Sequence, residues 1–93
     1  MAKLVTEIVG NEPYSYYPMG KYVVRAPGVC GGRPTFKYTR IQVAGVLSML
    51  ASDSIDTIVE DYQGRISREA IEEAILIASK LIHKQRPPKS AAA

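Results

Sequence analysis

The apolar spacing of this chain changes once, at Val43, and that change limits the fold more than any other feature. Ahead of it, KYVVRAP (residues 21–27) and the stretch from Thr35 to Val43 read as two short β-strands joined across VCGGRP. From it onwards, Val43, Val46, Leu47 and Leu50 recur at i, i+3, i+4 and i+7, predicting a helix over 43–52. Ser54 is placed to cap a second helix over 55–62, with Asp53 and Asp56 favourable near its positive end. That helix presents Ile55, Ile58, Val59 and Tyr62, and Gly64 stops it as a C-cap glycine does. Ser67 caps a third and longest helix, running to about His83, with Glu69, Glu72 and Glu73 in its first turns. Its apolar stripe is Ile71, Ala74, Ile75, Ala78, Leu81 and Ile82. Leu76 and Ile77 fall off that stripe and are expected to face a partner.

Residues 1–20 are expected to be an irregular N-terminal arm, because Pro13, Pro18 and Gly20 punctuate NEPYSYYPMG. Its Tyr14, Tyr16 and Tyr17 have the spacing of side chains that pack on a core or a subunit, with base stacking as the rarer alternative. Residues 21–83 form the domain, and 84–93 (KQRPPKSAAA) a flexible basic tail beyond the helix-ending Pro87 and Pro88.

Charge is unevenly laid out. The net charge is +3, but residues 1–45 carry +4, residues 46–83 carry −4 and the tail +3. Basic ends suit an acidic partner such as nucleic acid, and the acidic middle excludes a body that binds DNA over its whole surface. The single Cys30 has no internal disulfide partner and fits a reducing cytoplasm. No run approaches the ~20 apolar residues of a membrane span.

CGGRPT is not a phosphate cradle, since Arg33-Pro34 follows the second glycine and a proline removes a donor where a phosphate loop needs one. Cys30 lacks a neighbouring base: His83, the only histidine, lies at the far helix end. One Cys and one His exclude the usual structural zinc sets. Glu60–Asp61 and Glu72–Glu73 point about 100° apart on their helices and do not converge on a substrate. No enzyme activity and no cofactor are expected. A short helix, a turn at Gly64 and a longer helix instead match helix-turn-helix proportions. In that geometry Arg65, Ser67 and Arg68 approach the groove, while Arg33, Lys37 and Arg40 are candidates for backbone phosphate contacts.

The stretches CGGRPTFKYTRIQV, VLSMLASDSIDTIVEDY and SREAIEEAILIA resemble the small prokaryotic family known as Domain of Unknown Function 433. The likeness covers roughly residues 22–82. Gly32, Arg33, Pro34, Thr39, Arg40, Ile41, Ser54, Ile58, Asp61 and Tyr62 stand where that pattern expects them. Tyr38 and Gln42 depart from it, replacing a glycine and a proline. The resemblance implies a mainly α fold: a homeodomain-like three-helix helix-turn-helix domain preceded by a short β-strand pair, often dimeric. Several members resemble VapB-type antitoxins paired with PIN-like ribonuclease toxins. The expectation is therefore a cytoplasmic, homodimeric DNA-binding module acting as an autoregulating antitoxin. Its rival is a protein-interaction module without DNA binding, supported by the acidic helices and by Leu76 and Ile77.

Overall fold

The computed structural model describes residues 3–84. The period change at Val43 divides it as expected: strands come first, then three helices. The strands are β1 (Val5–Val9), β2 (Glu12–Pro18), β3 (Val23–Arg25) and β4 (Pro34–Phe36). The helices are α1 (Val43–Met49), α2 (Ile55–Asp61) and α3 (Arg68–His83).

The mainly α expectation is overturned. The strands form one four-stranded antiparallel sheet in the order β1-β2-β3-β4, so the fold is α+β. The extra strands come from residues 1–20, expected as an irregular arm. Gly10 (φ 55°) and Asn11 (φ 69°) make a two-residue hairpin turn with both central residues left-handed, which matches strand twist. Pro13 is tolerated because β3 pairs only with Tyr17 and Pro18, leaving one side of β2 open at Pro13, where a missing N–H is admissible.

The strand expected from Thr35 to Val43 stops at Phe36. The Thr39 N–H and hydroxyl both bond back to the Phe36 carbonyl, closing a turn in which Tyr38 adopts φ 68°. Tyr38 thus occupies the left-handed conformation that suits glycine, the residue it replaces in the family pattern. Pairing of β3 with β4 confirms the strand-to-strand role of VCGGRP, which folds into a 3-10 turn at Cys30–Gly32.

The helix caps fall where the sequence puts them. Ser54 Oγ accepts from Thr57 N–H and Ser67 Oγ from Ala70 N–H, both at 3.1 Å. Gly64 (φ 75°) ends the turn after α2, its N–H bonding the Val59 carbonyl. No described helix is long and apolar enough to cross a membrane. The basic tail lies outside the described residues except for Lys84.

β3 shows how the sheet feeds two cores. Val23 joins Phe36, Val43, Val46, Ile58, Ile66 and Ile71 under the helices, while Val24 joins Tyr16 and Ala26 on the other face. The buried stripe of α3 is Ala70, Ile71 and Ala74, with Ile77 and Ala78 half-buried. Ile77, expected on a partner surface, instead packs against the core. Ile75, Leu81 and Ile82, expected inside, are exposed. Ile75 lies about 100° around the helix from buried Ala74, on its flank. Length explains Leu81 and Ile82: sixteen residues of α3 span about 24 Å, but the seven-residue α1 and α2 span only about 10 Å each. The end of α3 runs past its packing partners.

Candidate nucleic-acid interface

The turn between α2 and α3 sets Arg65 on the surface beside Ser67, and the sheet brings other cations to it. Lys21, Lys37, Arg65 and Ser67 line one cleft of about 390 Å³, floored by Tyr22, Phe36 and Tyr38. An adjoining depression shares Tyr38 and Arg65 and adds Tyr14, Thr39 and Arg40. Residues from three separate stretches of chain therefore converge on one cationic face. Lys21 was not singled out by sequence reasoning; its only signal was the Lys-Tyr pair just before β3, and Lys21 Nζ lies 5.4 Å from the Tyr22 ring centroid.

The expected site residues are not equivalent. Arg65 and Arg40 are exposed and have no ion-pair partner among the described residues. Ser67 spends its hydroxyl on the cap. Arg68 is held by Asp56 at 2.6 Å and by Glu72 at 3.3 Å, so its charge is already matched within the chain. Arg33 does not join this face and lines a groove between β4, α1 and α3.

Lys37 sits in a network that ties the hairpin to the turn after β4. Its ammonium lies 3.1 Å from Glu7 and within 5.0 Å of the ring centroids of both Tyr16 and Tyr38. The Tyr16 and Tyr38 hydroxyls also donate to Glu7. These two hydroxyls, followed by Lys37, hold the Glu7 carboxyl down to about 2. The neighbouring Tyr16 and Glu7 raise Lys37 above the ordinary lysine range. Glu7 in turn raises the Tyr38 phenol. The Tyr38 N–H bonds to the Tyr14 hydroxyl at 3.0 Å, and the two rings stack tilted at 5.3 Å. Tyr16 is buried against Tyr14, so these two arm tyrosines pack on the core as expected, whereas Tyr17 is exposed.

The glutamates at the start of α3 also have distinct positions. Glu73 turns to the sheet and accepts N–H bonds from Lys21 (2.8 Å), Tyr22 (2.7 Å) and Val23 (3.0 Å). Glu72 pairs with Arg68, and Glu69 remains exposed. Cys30, half-buried, donates its thiol to the Arg40 carbonyl at 3.3 Å. That contact joins the 3-10 turn to the loop carrying Arg40.

Comparison with curated proteins and with solved structures finds no match to this chain. A family model does match, from the first residue of β3 to Ile77 in α3, leaving the β1–β2 hairpin outside the matched segment. Since that match over residues 23–77 takes in more than half of the sequence, the chain belongs to the family described as "Protein of unknown function (DUF433)".

Proposed function

We propose that this protein binds double-stranded DNA through the cationic face around Arg65, as the antitoxin of a toxin–antitoxin pair that represses its own promoter. The observation that carries the DNA half is the convergence of Lys21, Lys37, Arg40 and Arg65 on the turn that opens α3. Helix-turn-helix domains bring that end of the second helix to the duplex. Lys21, Arg40 and Arg65 supply phosphate contacts, and Lys37, already matched by Glu7, mainly holds the aromatic floor in place. The antitoxin half, with a PIN-like ribonuclease as partner, rests on the family resemblance alone.

Fluorescence anisotropy with the protein's own upstream DNA and with random duplex tests the DNA half. Lys21→Ala, Arg40→Ala and Arg65→Ala are each expected to weaken binding and to lower the slope of log K against log salt by about 1. Upstream DNA bound no tighter than random duplex at physiological salt, with all three substitutions silent, would sink the DNA role. Co-purification of the ribonuclease tests the antitoxin half.

A second reading, a protein-interaction module without DNA binding, is favoured by the outward face of α3. That face carries Glu69, Glu72 and Leu76, and its one nearby arginine, Arg68, is already paired. A ribonuclease complex with no DNA affinity would favour it.

A further inference from the structure

Beside β4 an apolar groove of about 230 Å³ runs between α1 and α3. Met19, Val43, Leu47, Ile77 and Leu81 form its walls. It stays open because other positions lining it are small: Ala44 on α1, and Ala74 and Ala78 on α3. Its polar lining comes from one place. Gln42 forms a single β-bridge with Thr35, which brings Arg33, two residues earlier, to the start of α1. Arg33 is exposed and has no ion-pair partner among the described residues. No acidic residue among them lines the groove. A second guanidinium stands close: Arg25 Nε donates to the Gly32 carbonyl at 3.2 Å, and Met19 borders both the groove and the depression that holds Arg25.

We propose that the groove binds a small monocarboxylate with an apolar body, its carboxylate on Arg33 and its body between α1 and α3. Small-molecule sites have this composition: apolar walls with a few convergent polar groups that fix orientation. Volume sets the size. The groove lies below the 300–1,000 Å³ or so of drug-sized sites, and at about 30 Å³ per water-sized group it holds roughly eight to ten heavy atoms. Charge sets the head group. The planar fork of an unpaired arginine matches a carboxylate through two parallel hydrogen bonds, and the Gln42 amide offers a further donor beside it. The apolar walls set the rest of the molecule, since a sugar or phosphate chain would lose its hydration against Leu47 and Ile77 without finding partners. This site goes beyond the DNA reading and does not rest on it: the groove shares no residue with the cationic cleft around Arg65.

Octanoate is the probe, with octanol as its neutral counterpart, each titrated into the full chain without DNA and followed by methyl NMR. Octanoate is expected to shift the Leu47, Ile77, Ala78 and Leu81 methyl signals saturably, with a dissociation constant of about 1 mM or below. Octanol should bind about fivefold more weakly. Arg33→Gln should lower octanoate affinity by about the same factor and leave octanol unchanged. Ala78→Leu fills the groove and should abolish binding of both probes. Ala44→Leu fills it from an exposed position on α1 and should do the same, and helical circular dichroism checks that both variants fold. Shifts that fail to saturate, or that appear equally at the remote and exposed Ile8, overturn the site. Equal affinity for octanoate and octanol, or a silent Arg33→Gln, overturns the carboxylate. Groove signals that follow chain concentration and ignore octanoate put another copy of the chain there and overturn the proposal.

Discussion

Replacing Glu73 with alanine should cost far more than its half-exposed position on a helix suggests. Its carboxylate accepts three N–H bonds from Lys21, Tyr22 and Val23, at 2.8, 2.7 and 3.0 Å, where the chain enters β3. The Lys21 N–H is at the surface and finds water when the carboxylate is gone. Those of Tyr22 and Val23 are only partly buried, so leaving each donor without its acceptor costs about 1–1.5 kcal/mol, the low end for an orphaned N–H. The expected loss is about 2–3 kcal/mol, against a total of about 5–14 kcal/mol for a chain of this size. In thermal unfolding this is a drop of roughly 10–20 °C.

Gly20 sharpens the test. A Cβ built on it lies 2.5 Å from Glu73 Oε1, so Gly20→Ala pushes the carboxylate off its three donors. It should cost about 1–2 kcal/mol in the wild type. In the Glu73→Ala background the obstruction is gone, and the same substitution should be neutral or stabilising by about 0.4–1 kcal/mol, through lower unfolded-state entropy. Urea unfolding of the four proteins completes the cycle. Additive effects, or a Glu73→Ala loss below about 0.5 kcal/mol, would refute the clamp.

Other perturbations have expected outcomes that follow from single contacts. The Glu7 carboxyl is held at about 2 against 4.5 for a free side chain, so its contribution is present above about 4.5 and lost as pH falls towards 2. The melting-temperature gap between wild type and Glu7→Gln should therefore close between pH 5 and pH 2, as read by circular dichroism at successive pH values. Ser67→Ala removes the acceptor for Ala70 N–H and should cost about 1 kcal/mol in urea unfolding. Tyr38→Ala and Tyr38→Gly lose the same ring, but only glycine adopts φ 68° freely. The glycine variant should be the more stable by about 1 kcal/mol, and equal stability would contradict the left-handed turn.

Local chemistry in the sequence determined the helices. Caps at Ser54 and Ser67, the stop at Gly64 and the 3.6-residue spacing all act within a few residues, and α2 and α3 lie within about one residue of their expected bounds. The VCGGRP connection and the family were legible for the same reason. Tertiary structure decided what depends on distant partners. The β1–β2 hairpin was hidden because its prolines read as loop signals, and the openness of β2 at Pro13 is a property of the sheet. Glu73 could not be told from its acidic neighbours, since its donors lie about fifty residues earlier in the chain. The cationic residues were visible one by one, but only folding groups Lys21, Arg40 and Arg65, commits Arg68 to Asp56 and sends Arg33 to another groove. A helix records its own turn-by-turn chemistry in sequence; a surface assembled from strand, loop and helix is recorded only in their packing.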